Sequence, residues 1–301
     1  MTSRVLVFGE RGQLGQQLLG ADVRGMMIRG ADGTDITDAD AVAAIMDRVM
    51  PHSVLNCAAY TGVDAAEDES ERAFAVNRDG AEIVAAACAA RDVRLTHVST
   101  DFVFSGTRQT PYPPDAEHGA AGIYGRSKSE GETAVRQACE RAAIVRTSWV
   151  YSPYRHNFVK SMLSLMRSGR DLNVVDDQRG APTWTRDLAA TLIEVARTGW
   201  TGTGHWSDAG QCSWYEFAVE IQRQALEAGS LETPVSIRPV STAHYAELIG
   251  RTLAPRPAYS VLDSSLLAAD LGLTPRPWAE CLAGMLAEEA TLAAASARRK
   301  E

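Results

Sequence analysis

Tyr124 and Lys128 are the two residues whose types and spacing best suit proton transfer. Four residues apart in a helix, their side chains share one face. A phenol has an ordinary pKa of about 10, so it is a slow acid near neutral pH. A neighbouring ammonium group stabilises the phenolate and lowers that pKa. The pair is therefore a candidate for acid–base catalysis, although the same spacing also occurs by chance on solvated helices.

Thr100 is the second candidate, because it follows a predicted strand over residues 94–99. Ligands of an open α/β sheet bind outside the carboxyl ends of its strands. A hydroxyl at that edge can polarise the carbonyl oxygen of a substrate. The alternative is that Thr100 only caps the end of the strand. With the neighbouring pair, we predict a catalytic set of Thr100, Tyr124 and Lys128.

A glycine-rich loop, Gly9-Glu10-Arg11-Gly12-Gln13-Leu14-Gly15, joins a predicted first strand (residues 4–8) to a predicted helix (residues 12–19). Glycines at these positions permit a tight turn, close approach of a pyrophosphate and close packing of helix on strand. The spacing alone is a weak signal, since glycine loops are common. Its place between the first strand and the first helix favours a dinucleotide site over a purely structural turn.

The predicted second strand, residues 26–29, bears on the choice of cofactor. An acid at its end would bind the ribose 2′-hydroxyl of NAD, whereas a nearby arginine accommodates the 2′-phosphate of NADP. Arg29 ends the strand and Arg11 lies in the glycine loop, although Asp32 is close by. We predict NADPH as the cofactor, with NADH as the alternative. The two arginines could also be solvated surface residues with no role in cofactor binding. Asp35 and Ile36 are expected to line the adenine.

The elements that must position these residues alternate between strand and helix. Further strands are predicted at residues 53–57, 94–99 and 143–150, with helices between them. This alternation predicts an α/β fold, a Rossmann-type doubly wound parallel sheet with a smaller C-terminal α/β substrate lobe. The expected division is a cofactor domain over 1–150, completed by about 181–208, and a substrate lobe over 151–180 and 209–301. The charged tail, Arg298-Arg299-Lys300-Glu301, is expected to fray.

Composition excludes several classes of protein. The chain has 301 residues, a net charge of -8 and 45% hydrophobic residues, which is ordinary for a globular enzyme. An acidic chain without a basic stripe is a poor nucleic-acid binder. The five cysteines form no CxxC pair, so neither a zinc site nor a disulfide framework is expected, and the usage fits the cytoplasm. With no apolar run of about 18 residues, no membrane partner is expected, and no metal is predicted.

Several longer motifs resemble those of the dTDP-4-dehydrorhamnose reductase family, within the extended short-chain dehydrogenases/reductases. The resemblance covers about residues 3 to 290. It implies NADPH-dependent reduction of the C4 ketone of a dTDP-4-keto-6-deoxyhexose, most simply dTDP-4-dehydro-L-rhamnose to dTDP-L-rhamnose. Such enzymes often form homodimers, although no run of residues in this sequence indicates a dimer interface. Beyond the glycine loop, the motifs are NCAAYTGVD (56–64), STDFVF (99–104), YGRSK (124–128), RTSWVY (146–151), DQRGAPT (177–183) and Arg256-Pro257.

The resemblance also assigns roles at matching positions. Thr100, Tyr124 and Lys128 become the catalytic hydroxyl, acid and lysine. Val63, Thr100, Asp101, Phe102 and Trp149 are expected to border the sugar. Together with the motif reasoning above, the candidate cofactor set is Gly9, Arg11, Gly12, Gln13, Leu14, Gly15, Arg29, Asp35, Ile36, Ala58, Ala59, Tyr60, Thr61, Val98, Tyr124 and Lys128.

Two further residues are weaker substrate candidates. Arg256 could pair with the substrate diphosphate, or it could be an ordinary surface arginine. Asn157 begins a predicted helix whose first N–H groups could hold phosphate, or it could simply cap that helix. Trp149 could stack on the sugar or nucleobase, or pack between the lobes.

Departures from the family pattern keep other functions open. Phe102 stands where the family often has Tyr, and Gly62 replaces a usual Ala, which leaves the sugar stereochemistry open. A 4,6-dehydratase typically carries Asp-Glu after its Thr, and the Glu is missing here. The remaining alternatives are a 4-ketoreductase for another deoxysugar, a 4-epimerase, or a non-catalytic NADP-binding regulatory subunit.

Overall fold

The computed structural model describes residues 2–298, which form one large sheet and a smaller lobe beside it. The charged tail predicted to fray lies mostly outside this range, at residues 299–301. The strands of the described chain are β1 (Ser3–Phe8), β2 (Met26–Gly30), β3 (Ser53–Asn56), β4 (Arg94–Thr100), β5 (Ala143–Thr147), β6 (Val150–Tyr151), β7 (Leu172–Val175), β8 (Arg179–Gly180), β9 (Thr183–Trp184), β10 (Gly202–His205), β11 (Cys212–Ser213) and β12 (Ile237–Val240).

The helices of the same range connect or flank these strands. A π-helical turn (Ala75–Gly80) and a 3-10 turn (Asp101–Val103) are added to the α-helices. The α-helices are α1 (Gln13–Leu19), α2 (Ala39–Val49), α3 (Ala65–Asp68), α4 (Ser70–Phe74), α5 (Ala81–Ala89), α6 (Ile123–Ala138), α7 (Phe158–Arg167), α8 (Thr185–Thr198), α9 (Trp214–Glu227), α10 (Thr242–Ile249), α11 (Ser265–Leu271) and α12 (Trp278–Arg298).

The large sheet has six parallel strands in the order β10-β5-β4-β3-β1-β2. The chain runs outward from β1 to β2 and then returns past β1 to β3. Such a reversal of strand order creates a crevice at the carboxyl ends of the two diverging strands. The predicted Rossmann-type doubly wound sheet is therefore confirmed.

Both faces of this sheet are covered, which explains the unbroken apolar run of β1. Leu6 and Phe8 face one core with α2 and α5, whereas Val5 and Val7 face another with α1 and α8. Strands buried on both faces of a parallel sheet read as continuous hydrophobic runs. Helix α11 also packs here, since Leu267 joins the second of these cores.

The smaller lobe has its own core, rich in aromatic and sulfur-containing residues. It gathers side chains from β6, α7, β7, β9, α9 and α12, among them Tyr151, Trp184, Phe217 and Met285. Ser213 begins α9 with a complete capping box, because its side chain accepts from the Glu216 N–H while Glu216 accepts from the Ser213 N–H.

One strand boundary was predicted wrongly. The strand predicted over residues 143–150 ends at Thr147, because Trp149 has a left-handed backbone (φ 47°) that breaks the extended run.

Two other segments have structure of their own. The chain between β3 and β4 is mostly helical, with interruptions at Glu69 and at the π-helical turn. The region 234–257 contains β12, which pairs with β7, and α10, capped by Ser241.

No helix among residues 2–298 is long and apolar enough to cross a bilayer.

Candidate active site

Thr100 lies at the carboxyl end of β4, where the chain turns into the 3-10 helix. Its hydroxyl oxygen accepts from the Phe102 N–H at 3.3 Å and its proton points to Asp101 at 3.0 Å. Thr100 therefore caps the 3-10 helix at the end of β4, and these two hydrogen bonds hold its hydroxyl in position. Burial raises the pKa of Asp101 to about 6, although the nearby hydroxyls of Ser260 and Thr100 oppose that shift.

Tyr124 lies in the first turn of α6, over the end of β4. Burial raises the pKa of its phenol to about 12, and the negative charge of Asp101 adds to the shift. The nearby hydroxyl of Thr100 opposes this rise in the pKa of the phenol. The ring meets Phe102 edge to face, with centroids 5.4 Å apart. The two predicted catalytic hydroxyls therefore converge at one sheet edge.

Lys128 lies one turn deeper in α6 and is only 2% exposed. Its Nζ donates to the carbonyl oxygen of Val98 at 2.8 Å and lies 3.3 Å from Nε2 of His97. Burial lowers the pKa of Lys128 to about 8, while Glu132 and Cys57 oppose the shift. The lysine is thus held by β4 in this structure. Val98, a predicted cofactor contact, supplies the backbone acceptor.

Sequence reasoning missed the buried polar residues around Lys128. Asn56 lies 3.3 Å from His97, and Glu132 forms a paired hydrogen bond with Arg146 at 2.7 and 2.8 Å. Glu132 is four residues after Lys128, so a helix-face argument extended by one turn would have found it. His97 and Asn56 occupy strand positions that share no local pattern with α6.

The glycine loop has the shape that a dinucleotide site requires. Gly9 has φ 77°, and a Cβ there would come within 2.6 Å of the Ala58 nitrogen. A Cβ on Gly15 would meet the Gly9 carbonyl oxygen at 2.3 Å, so α1 packs as closely as predicted. Gly12 precedes the first residue of α1. The side chain of Leu14 lies in the sheet core, which leaves its backbone N–H as the group that could contact a dinucleotide.

Charged side chains surround the end of β2. Arg11 is exposed and its guanidinium lies against Gly33, while Arg29 is exposed on β2. Asp32 pairs with Arg48 on α2. Asp32 is the nearby acid that weakened the prediction of NADPH over NADH, and it is engaged here by Arg48.

The two predicted adenine residues occupy different environments. Asp35 accepts from the N–H and the hydroxyl of Thr37, which lowers the pKa of its carboxyl. Ile36 is 3% exposed and packs in the sheet core. Very little of its side chain is therefore exposed to line an adenine, contrary to the expectation from the sequence.

The segment after β3 is held beside α6 by Asn77, a residue of the π-helical turn. Asn77 accepts from the Tyr60 N–H at 2.9 Å and donates to the Tyr60 carbonyl at 3.1 Å and to Ser127 at 2.9 Å. This clamp places the predicted cofactor residues Ala58, Ala59, Tyr60 and Thr61 between the glycine loop and the catalytic helix.

Two substrate candidates have structural partners. Arg256 pairs with Asp64 at 2.8 Å, and the Ala254 N–H donates to the same carboxylate at 2.9 Å. These contacts join the 254–256 segment to the turn that follows Val63. Asn157 caps α7 by accepting from Lys160 and also donates to Gln13 of the glycine loop at 3.0 Å. Asn157 and Gln13 therefore link the two lobes directly.

Trp149 lies between the lobes, as one of its two interpretations required. Its indole stacks on Trp214, with centroids 3.5 Å apart and planes 6° apart. Its edge lies against Gly180, where a Cβ would come within 2.5 Å of the ring. Trp214 in turn donates to Gln178 at 3.1 Å.

One group within the described residues has metal-ligand chemistry: Asp187, Asp208 and Cys281. Arg276 forms a paired hydrogen bond with Asp187 at 2.7 and 3.0 Å. Burial raises the pKa of Asp208 to about 8, with the nearby Asp187 carboxylate adding to it. A protonated carboxyl and an arginine make this a neutralised internal cluster.

Comparison with known proteins gives a consistent result. The family model described as the RmlD substrate binding domain matches residues 3–291. The chain is 39% identical to dTDP-4-keto-6-deoxy-D-glucose reductase of Streptomyces niveus, covering 94% of this chain and 96% of that protein. It is 39% identical to dTDP-4-dehydrorhamnose reductase of Mycobacterium tuberculosis, covering 96% and 94%. The crystal structure of dTDP-4-dehydrorhamnose reductase from Bacillus anthracis in complex with NADP superposes with a TM-score of 0.87, at 35% identity, covering 96% and 100%.

Proposed function

The chain belongs to the RmlD substrate binding domain family, and from that membership we propose that it is an NADPH-dependent 4-ketoreductase of a dTDP-4-keto-6-deoxyhexose. The proposed substrate is dTDP-4-dehydro-L-rhamnose and the product dTDP-L-rhamnose. Relatives in Aggregatibacter actinomycetemcomitans and Mycolicibacterium smegmatis carry the name dTDP-4-dehydrorhamnose reductase at 37% and 41% identity.

The observation that carries the proposal is the convergence of Thr100 and Tyr124 at the carboxyl end of β4, above Lys128. In our proposal the Thr100 hydroxyl donates to the substrate carbonyl oxygen, and Tyr124 gives its proton to the alkoxide as it forms. The pKa of the Tyr124 phenol is raised to about 12, so the lowering expected from Lys128 is absent while the Lys128 Nζ donates to Val98. The phenol is therefore protonated at neutral pH, as a proton donor must be. Bound NADPH supplies the hydride.

The glycine loop fits a dinucleotide site, because Gly9 lets the turn pack on the Ala58 backbone and Gly15 lets α1 pack on the loop, where a Cβ would clash with backbone atoms. We propose that Gly12, Gln13 and Leu14 hold the pyrophosphate through backbone N–H groups, and that Ala58–Thr61 border the nicotinamide half. Lys128 would hold the ribose. Arg11 and Arg29 are proposed to favour the 2′-phosphate of NADPH, since Arg48 already pairs with Asp32.

We propose that the sugar nucleotide occupies the cleft between the sheet and the smaller lobe. Val63, Asp101, Phe102 and Trp149 would border it, with Asn157 at the junction with the glycine loop. Because Arg256 is engaged by Asp64, we assign it to the wall of the cleft and not to the diphosphate. The proposed division keeps 1–150 as the cofactor domain and adds α11 to it. The second part of this domain, expected over about 181–208, begins at α8 instead, because Trp184 of β9 packs in the core of the smaller lobe. The rest forms the substrate lobe.

Two other readings remain as alternatives. Phe102 lacks a hydroxyl that could bind the sugar, and a relative named as a D-glucose-series reductase is 39% identical, so a ketoreductase for another deoxysugar is the second candidate. A regulatory subunit without catalysis is disfavoured by the complete Thr100, Tyr124 and Lys128 set. We also propose a reducing, cytoplasmic setting, because all five cysteines are free thiols.

The test is an NADPH-oxidation assay with dTDP-4-keto-L-rhamnose generated in situ. The D-gluco 4-keto-6-deoxy nucleotide and NADH serve as parallel comparisons. Rapid NADPH loss with the L-rhamno substrate is expected. Turnover only with the D-gluco nucleotide would favour the second candidate. Tight NADPH binding without turnover of either sugar would contradict the ketoreductase assignment and favour the regulatory reading.

A further inference from the structure

A row of three buried polar side chains runs beneath the catalytic edge of the sheet. Asn56 ends β3, His97 lies on the neighbouring β4, and Lys128 lies on α6. Asn56 and His97 are fully buried and Lys128 is 2% exposed. Nδ2 of Asn56 lies 3.3 Å from Nδ1 of His97, and Nε2 of His97 lies 3.3 Å from Nζ of Lys128.

The orientation of the Asn56 amide is fixed by the backbone. Its Oδ1 accepts from the N–H of Ala58 at 3.2 Å. Turning the amide over would set its NH2 group against that N–H, donor against donor. The Asn56 NH2 group therefore faces His97, and Nδ1 of His97 must be the acceptor, without a proton of its own.

The imidazole is consequently neutral, with its single proton on Nε2. Burial drives the pKa of His97 well below its ordinary value, and the nearby Lys128 lowers it further, while Glu132 opposes both. A cationic ring would also place an Nδ1 proton against the Asn56 NH2 group. The Nε2–H bond then points at Nζ of Lys128.

An ammonium group has three donors and no acceptor, so it cannot receive this proton. A neutral amine can, because it offers a lone pair to Nε2–H and still donates to the Val98 carbonyl at 2.8 Å. The other titratable groups facing Lys128 are Glu132 on α6 and Cys57 after β3. Glu132 is already neutralised by Arg146, and burial raises the pKa of the Cys57 thiol to about 12.

We propose that His97 is a positioning residue that shifts Lys128 toward the neutral amine in the cofactor-free enzyme. The inference rests on the proposed function, in which Lys128 holds the cofactor ribose as a cation. The neutral form of Lys128 then gains one proton from solvent on its Nζ lone pair when it leaves His97, and His97 keeps its own proton on Nε2. Cofactor binding and proton uptake are thereby coupled through a residue that touches neither cofactor nor substrate.

The direct test is 15N NMR of the cofactor-free protein labelled in histidine. The proposal requires a protonated, pyrrole-type Nε2 and an unprotonated, pyridine-type Nδ1 for His97, at neutral pH. The opposite tautomer, or two protonated nitrogens, would overturn it. This experiment uses no substrate and no turnover, so it can fail while the ketoreductase assignment stands, and the reverse also holds.

A substitution at the far end of the row adds a functional readout. Asn56→Asp keeps an acceptor for the Ala58 N–H but offers an oxygen to His97, which should move the ring proton to Nδ1. Nε2 then accepts from a Lys128 ammonium. We expect the basic limb of the pH profile of kcat/KM to move up by about one pH unit or more, which corresponds to about 1.4 kcal/mol favouring the ammonium. An unmoved limb in a protein whose tautomer has changed would overturn the coupling.

The added carboxylate could also act on Lys128 by charge alone. The double variant Asn56→Asp with His97→Phe keeps that charge and removes both ring nitrogens. The proposal expects the basic limb to lose most of its upward shift in this protein. If the shift persists in full, direct charge attraction explains it, and the role given to His97 is wrong.

Discussion

The two lobes of this molecule are held together by different physics. Beneath the catalytic edge, the sheet lobe buries ionisable groups in contact with one another: His97, Lys128, Glu132 and Arg146 are each 4% exposed or less. The smaller lobe buries Tyr151, Trp184 and Phe217 in an aromatic core, and its ion pairs are mostly near the surface.

The two kinds of core differ in how precisely they fix the positions and protonation states of side chains. Desolvated charges and directional hydrogen bonds fix protonation states and atom positions, but they cost free energy unless every partner is present. Apolar packing tolerates volume-conserving substitutions and leaves no buried charge without a partner when it is altered. The sheet lobe therefore suits proton transfer, and the aromatic lobe suits the enclosure of a bulky nucleotide sugar.

The largest effect on activity should come from removing one oxygen in the sheet lobe. Tyr124→Phe keeps the ring against Phe102 but deletes the proposed proton donor. We expect kcat to fall about 10²–10⁴-fold while NADPH affinity stays near normal. The matched control is Tyr215→Phe on α9, which should leave kcat unchanged. Steady-state kinetics and NADPH fluorescence titration measure both, and unchanged turnover in the Tyr124 variant would remove this residue from the mechanism.

The largest effect on stability should come from the buried ion pair beneath the site. Glu132→Gln leaves the Arg146 guanidinium buried without its carboxylate, which we expect to lower the free energy of unfolding by about 3–5 kcal/mol. Glu227→Gln removes an exposed partner of Arg223 in the smaller lobe and should cost less than about 1 kcal/mol. Urea denaturation decides between them, and equal losses would contradict the contrast drawn between the lobes.

The same carboxyl predicts how acid acts on the wild-type protein. Arg146 and His118 hold the pKa of Glu132 far below its ordinary value in the folded state. A depressed carboxyl pKa contributes stability above the unfolded value of about 4.3, and that contribution is lost as the pH falls toward the folded pKa. Between pH 5 and pH 3 the wild type should therefore lose more stability than Glu132→Gln.

Asp208 predicts the opposite dependence, at the boundary with the smaller lobe. Its pKa rises to about 8 in the folded protein, from an ordinary value of 3.8, so the folded state binds a proton that the unfolded state releases. Stability should fall as the pH rises between those two values, by at most about 1.4 kcal/mol per pH unit. Asp208→Asn keeps an oxygen for the Trp184 N–H and should flatten this slope. Parallel slopes in urea titrations at pH 6, 7 and 8 would contradict the assignment.

The smallest effect is expected from the aromatic contact between the lobes. Trp214→Leu removes the ring stacked on Trp149, and an aromatic pair is worth about 0.5–1.5 kcal/mol beyond its buried area. We expect KM for the sugar nucleotide to rise about twofold to tenfold, with KM for NADPH unchanged. Trp200→Leu is the control, because Trp200 precedes the amino end of β10 and its indole N–H donates to Asp270. A change in KM for NADPH instead would contradict the assignment of Trp149 to the sugar site.

Most of the framework could be predicted from the sequence because its signals are local. The apolar run of β1, the glycines at positions 9 and 15 and the Asp38 cap of α2 each report the conformation of a few neighbouring residues. The pairing of Tyr124 with Lys128 on one helix face is of the same kind. The strand boundary at Thr147 could not be predicted, because its cause is not local: nothing in the RTSWVY segment signals the left-handed Trp149, whose ring stacks on Trp214, 65 residues away.

The sequence by itself determined the doubly wound sheet, the dinucleotide loop, and the residue types of the reacting groups, because helix and strand periodicity and short motifs encode them. Tertiary structure alone decided their protonation and partners. The sequence allowed Arg256 to bind a diphosphate, but in the structure it pairs with Asp64, 192 residues away. The sequence indicated an ordinary cation at Lys128, but in the structure its Nζ lies against His97, which in turn contacts Asn56 on the neighbouring strand. A pKa depends on burial and on the charges nearby, and both are set by contacts that no local pattern of residues records.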